Sequence, residues 1–195
     1  MKKTLSVLAM LVFLSASIAN AQKIESDRTE GGVRTIFCEK KNVGGFSDKV
    51  KMFVGLTANQ KADELQYYLA IQLNTSEVYE VAKGGKCLLK TTAGDVVELV
   101  SPAGHSFNPL ADMQTVSGFK IMSITALYTI TEAQIEQIAG GVSKVRMEVV
   151  TERGDELFEK EFKKDKIGSV VKKEKKLIDD ALAGKDKKLS LYDDF

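Results

Sequence analysis

Over most of the chain, apolar and polar side chains alternate as they do in strands. Across residues 66–75 the alternation is strict, with Tyr67, Leu69, Ile71 and Leu73 on one face and Tyr68, Ala70 and Gln72 on the other. A period of two over that length predicts a half-buried β-strand. Weaker versions of the pattern mark residues 33–40 and 49–57, with Asn42-Val43-Gly44-Gly45 as the loop between them. Residues 86–92 and 96–100 flank Ala93-Gly94-Asp95, while 143–151 and 156–162 flank Arg153-Gly154-Asp155. Each set reads as a hairpin closed at a Gly-Asp turn. Residues 114–130 are strongly apolar, and their alternation changes phase near Ser123, from Phe119 and Ile121 to Ile124, Ala126 and Tyr128. That shift predicts a bulge or a central strand buried on both faces.

In two places the period lengthens to that of a helix. Thr131 followed by Gln134 forms a capping box, Ile135 and Ile138 supply an apolar side, and Gly140-Gly141 ends a short helix. Across residues 165–183, Ile167, Val170, Val171, Leu177, Ile178, Ala181 and Leu182 share one stripe, with Lys172, Lys173, Lys175 and Lys176 opposite and Gly184 as the stop. The stripe is that of a helix lying on a sheet, and it disfavours a membrane-surface role. The expected fold is therefore mainly β (α+β). It is an antiparallel β-sandwich-like domain with one short capped helix and a C-terminal amphipathic helix packed on a sheet.

The first 21 residues are of a different kind. Lys2 and Lys3 precede an uncharged apolar run from Leu5 to Ile18, and Ala19-Asn20-Ala21 has the small-x-small form of a cleavage site. This predicts a cleaved Sec-type signal peptide and a mature chain starting at Gln22. The run is too short to span a bilayer, and no Cys follows it to carry a lipid. Polar residues 22–32, ending in Gly31-Gly32, read as a flexible leader. Residues 33–184 form a single domain, and 185–195 a charged tail. No second segment is apolar enough to span a membrane, so the mature protein is expected in the periplasm or outside the cell.

Composition narrows the chemistry. With 44% hydrophobic residues the chain can fill a core. Lys+Arg (28) nearly balances Asp+Glu (27), which disfavours a nucleic-acid partner. Loss of Lys2 and Lys3 would take the formal net charge from +1 to −1. The sequence contains no dinucleotide fingerprint, zincin motif, nucleophile elbow or C-x-x-C, so no cofactor, metal or catalytic residue is assigned. Gly84-Gly85-Lys86-Cys87 has the wrong upstream spacing for a phosphate loop, with Cys where a magnesium-binding hydroxyl belongs.

Three features remain as candidates. Cys38 and Cys87 share alternation phase with Ile36 and Leu89, so both thiols point inward. In an oxidising compartment they form either a bridge worth on the order of 4 kcal/mol or two separate buried thiols. The sole histidine, His105, sits with Ser106, Asn108 and Asp112 around a loop holding both prolines. This loop is the candidate contact surface, with His105 solvated. Glu174 falls near the middle of the long helix's apolar stripe. There it must reach past the sheet edge, pair with a basic strand residue such as Arg146, or stay protonated as a general acid would.

The run Gly85-Lys86-Cys87-Leu88-Leu89-Lys90, then Gly94-Asp95, then Tyr128-Thr129-Ile130-Thr131, then Gly141-Val142-Ser143-Lys144-Val145-Arg146 resembles a group of small secreted bacterial envelope proteins. That group shares a K-x-L-L-K…G-D…Y-x-I-T…G-V-x-K-x-R pattern. The resemblance spans about residues 66–182 and rests on turns and a helix cap. It implies the fold and an envelope setting, and it assigns no functional residue. The expected function is a non-enzymatic binding module whose partner is an envelope protein or a glycan. The alternative is a carboxylate-dependent hydrolase acting on envelope polysaccharide. That reading needs two facing carboxyls about 5 to 9.5 Å apart, and the shortage of aromatics (7%, no Trp) weakens it.

Overall fold

The computed structural model describes residues 22–45, 49–108, 113–116 and 119–184. The proposed signal peptide, the charged tail and Asp112 lie outside the described residues. The strands are β1 (Ile24–Glu30), β2 (Val33–Cys38), β3 (Lys41–Asn42), β4 (Lys51–Lys61), β5 (Glu64–Thr75), β6 (Lys86–Thr91), β7 (Val96–Val100), β8 (Met113–Val116), β9 (Phe119–Ile130), β10 (Val142–Thr151) and β11 (Gly154–Glu161). The helices are α1 (Glu132–Ala139) and α2 (Ile167–Leu182).

All strand pairings are antiparallel, in the order β1-β2-β4-β5-β9-β7-β6-β10-β11, with β3 on β4 and β8 on β9. The β5–β9 and β6–β7 ladders are joined through one pairing, Val100 with Thr129. Side chains from both halves meet in a single core that includes Leu56, Leu69, Leu89, Leu99, Tyr128 and Val145. The fold is thus an open, mainly antiparallel sheet whose halves share one interior, with the C-terminal helix packed on β4 and β2.

Residues 22–32 are not a flexible leader. They supply β1, which pairs with β2 across Gly31 and Gly32 at φ +57° and +78°. Two consecutive left-handed residues form the turn that suits a two-residue hairpin, and glycine adopts that conformation without steric cost. The strand was hidden because its seven residues, IESDRTE, form a charged edge with little apolar alternation. β4 and β5 run longer than their sequence signals and meet in a second tight hairpin, with Lys61 opposite Glu64. β9 keeps continuous register with β5 from Met122 to Ile130, without a bulge at Ser123. Its buried face is Ile124, Ala126, Tyr128 and Ile130, while Thr125, Leu127 and Thr129 are half-buried.

The short helix begins at the predicted box. Thr131 Oγ1 accepts from the Gln134 N–H, and Gln134 Oε1 accepts from the Thr131 N–H at 3.0 Å. Thr131→Ala is expected to cost about 1 kcal/mol of stability, measurable as a lower midpoint in urea unfolding followed by circular dichroism. The long helix is capped from two residues before its start at Ile167, since Lys166 makes no side-chain cap bond. The Asp165 carboxylate accepts from the N–H groups of Gly168 (2.9 Å) and Ser169 (3.1 Å), and from that of Val142 in β10 (2.9 Å). At its other end, Arg34 of β2 bonds the Ala181 carbonyl at 3.1 Å while holding Asp27 of β1 with two bonds, at 2.9 and 2.6 Å. The β1–β2 hairpin is thereby clamped along α2.

Candidate functional site

The residues with the most reactive chemistry lie inside. Glu174 sits on the buried face of α2 among Val170, Val171 and Ile178, and it is fully sealed. Its Oε2 accepts from the Leu56 N–H at 2.6 Å. That donor is free because β2 pairs with β4 only as far as Phe37 opposite Thr57, and β3 resumes at Lys41 opposite Val54. The carboxyl fills the break in the ladder, where a buried N–H without an acceptor would cost about 1 to 3 kcal/mol. Neither expected partner is used: Arg146 pairs with Glu159 across the β10–β11 hairpin, and the Glu174 side chain goes inward. Burial pushes the Glu174 carboxyl up to about 8, against the pull of the Leu56 N–H and the Lys41 charge.

Cys38 and Cys87 are both buried and both free, so the candidate bridge is not formed. They occupy β2 and β6, between which β4, β5, β9 and β7 intervene in the sheet. Cys38 Sγ lies 4.0 Å from the Glu174 carbonyl oxygen. Burial pushes both thiols far up, which keeps them protonated and unreactive.

His105 is not a solvated loop residue. Its backbone exchanges both hydrogen bonds with Val81, at 2.9 and 2.7 Å, and its Nε2 accepts from the Leu127 N–H at 3.1 Å. Ser101 Oγ bonds the Leu127 carbonyl at 2.9 Å. Leu127 lies on the stretch of β9 between its pairings with β8 and β7, so the loop satisfies an edge that none of the described strands covers. Burial holds the imidazole below its ordinary value of 6.5, which keeps Nε2 an acceptor. Because the folded value is depressed, this contribution is present above the ordinary value and lost as pH falls below it. The protection factor of the Leu127 amide against hydrogen exchange, corrected for the intrinsic rate at each pH, should therefore fall on acidification. His105→Ala should remove that pH dependence at a cost of about 1 kcal/mol. Ser106 and Asn108 lie exposed beyond this anchor.

A cleft lies where the sequence offered no motif. Residues 76–85 cross from β5 to β6 and are tied to the end of β10 by two Glu80–Val150 backbone bonds, 2.9 and 2.8 Å long. The Val81–His105 pairing secures the same segment from the other side. Beside it opens a cleft of about 480 Å³ lined by Ala82, Gly85, Glu148, Val150, Asp155 and Leu157, with Glu156 also on the wall. Glu148 accepts from the Lys86 N–H at 2.9 Å, and Glu156 holds Arg153 at 2.9 Å. Leu157 is 60% exposed. The hint in the sequence was its phase: it shares the outer face of β11 with Asp155, Glu159 and Glu161, the one apolar residue among acids.

Among the described residues, no group of three or more His, Cys, Asp or Glu is arranged to hold a metal ion, and no helix is long and apolar enough to cross a membrane. Comparison with protein-family models, with curated proteins and with solved structures finds no match to this chain.

Proposed function

We propose that this protein is an exported, non-enzymatic binding module of the cell envelope, and that it grips a cationic, partly apolar segment of another envelope protein. The observation that carries this reading is the cleft beside residues 76–85. Exposed Leu157 offers an apolar contact, and Glu148, Asp155 and Glu156 set a negative rim around it. A lysine or arginine next to an aliphatic side chain matches both features.

The state of the carboxyls favours binding over hydrolysis. In the cleft, Glu148 and Glu156 are already bonded to a backbone N–H and to Arg153. The carboxyl that burial keeps protonated near neutral pH, Glu174, is closed off from any substrate. A glycan is the less favoured ligand, because no aromatic ring lines the cleft to stack on a sugar face.

The test is an NMR titration of the 15N-labelled protein with a short peptide containing Lys-Leu-Lys. The proposal expects saturable shifts centred on Gly85, Val150 and Leu157, weakened by salt and abolished by Leu157→Glu. Shifts spread over the whole surface, or a response only to an uncharged oligosaccharide, would refute it.

A further inference from the structure

The carboxyl of Glu174 is enclosed but only half matched. Oε2 receives the short bond from Leu56, whereas among the described residues Oε1 has only the side-chain amide of Gln22, 3.4 Å away. The same amide donates to the Val170 carbonyl at 3.3 Å, and its own oxygen is buried without a partner. Both of these donors to Glu174 are neutral. The nearest charges on the neighbouring strands are Lys41 and Glu39, which bond each other at 2.9 Å. The uncharged Cys38 thiol approaches from β2, and Lys172 and Lys173 lie on the exposed side of α2. Sheet pairing begins one residue after Gln22, where the Lys23 carbonyl accepts from the Glu39 N–H at 3.0 Å.

Independently, Ala19-Asn20-Ala21 makes Gln22 the first residue of a processed chain. The residue that touches the buried carboxyl is thus the one whose backbone nitrogen changes charge on cleavage. We infer that cleavage after Ala21 completes the site: the α-ammonium of Gln22 pairs with the Glu174 carboxylate beneath α2. The domain then reaches its full stability only after processing. This rests on the export reading above. The step is hydrolysis of the Ala21–Gln22 peptide bond by an envelope signal peptidase. Water supplies the oxygen of the new Ala21 carboxylate, and its two protons convert the departing amide nitrogen, which keeps its own N–H, to the ammonium.

Before cleavage that nitrogen is a neutral amide. Afterwards it is an amine with an ordinary pKa of about 8, cationic at neutral pH, and it carries three N–H donors. It lies one glutamine side chain from Glu174 Oε1 and the Val170 carbonyl, the two acceptors that the Gln22 amide now shares. Without a cation, burial leaves the carboxyl protonated at neutral pH. With one, the ionised form is favoured.

The experiment uses the full chain, exported by a Gram-negative host and purified in its processed form. N-terminal sequencing comes first, followed by urea unfolding at pH 7 before and after selective acetylation of the terminal amine. Parent and Glu174→Gln proteins are compared. Acetylation should raise the unfolding equilibrium constant of the parent at least about tenfold, and that of the variant less than about twofold. If Glu174→Gln does not fold, a 13C titration of the Glu174 carboxyl serves instead. It should titrate more than about one pH unit lower with the free amine than with the acetylated one. A chain that stays unprocessed would overturn the export reading and the inference together, and a processed terminus other than Gln22 would overturn the inference alone. A Gln22 terminus with equal acetylation effects in both proteins would overturn the pairing alone. So would a Gln22 found cyclised with loss of ammonia, which leaves no cation to pair.

Discussion

Glu174→Ala is expected to lower stability by about 3 kcal/mol, combining the cavity left by the side chain with an orphaned N–H at Leu56. Glu174 sits at 0% exposure, and its Oε2 accepts from the Leu56 N–H at that strand break. Glu174→Gln keeps an oxygen for Leu56 and should cost far less. The pH dependence separates the two states of the carboxyl. With the Gln22 nitrogen still in a peptide bond, burial raises the folded value from 4.5 to about 8. Between those values the folded chain holds a proton that the unfolded chain has released. Stability therefore falls as pH rises from about 5 to 8 and levels off above, by on the order of 4 kcal/mol in all. Urea unfolding of the unprocessed chain across this range, with Glu174→Gln as the flat control, measures the slope. Constant stability would mean that water or a cation reaches the carboxyl.

Gly168→Ala should be comparably damaging, by about 3 kcal/mol. A Cβ at this position would stand 2.6 Å from the Ile138 carbonyl oxygen and 2.8 Å from the Cα and N of Gly141. All three are backbone atoms at the point where α1 ends and β10 begins. They are held in place: the Gly141 N–H bonds Ile138, and the Val142 N–H bonds Asp165. Alanine is worth about 1 kcal/mol more than glycine in a helix interior, so the steric term decides the sign. A fall in thermal midpoint, with α2 losing protection from hydrogen exchange, is the expected outcome. An unchanged or raised midpoint would show that the α1–α2 contact is looser than described.

Much of the fold was legible because it obeys local rules. The alternation of Tyr67, Leu69, Ile71 and Leu73 marks β5, the Thr131–Gln134 box marks α1, and the stripe of α2 names the face that is buried. β1 was hidden because edge strands are charged to discourage further pairing, which erases the apolar signal. The central halves of the sheet meet at Val100 and Thr129, a long-range pairing that local pattern does not encode.

The site residues divide in the same way. Helical phase exposed Glu174 as a misfit. Its partner is a backbone N–H in a ladder gap between β2 and β3, which no side-chain pattern can show. His105 is distinctive in sequence as the sole histidine, yet its role is to satisfy Leu127. Leu157 carries no signal in the sequence beyond its phase, because one apolar residue on an exposed face is ordinary. Only the placement of residues 76–85 beside it makes it part of a cleft.

The most direct test of the account is photo-crosslinking in living cells at two equally exposed positions. Leu157 and Val96 are each 60% exposed, but Leu157 lines the cleft beside residues 76–85, and Val96 lies with Leu88, Lys90, Lys144 and Arg146 at a separate depression. A photoreactive residue at 157 should yield one saturable adduct with an envelope protein, and the same residue at 96 should yield none. Adducts at both positions in equal yield, or at 96 alone, would contradict a binding module that works through this cleft.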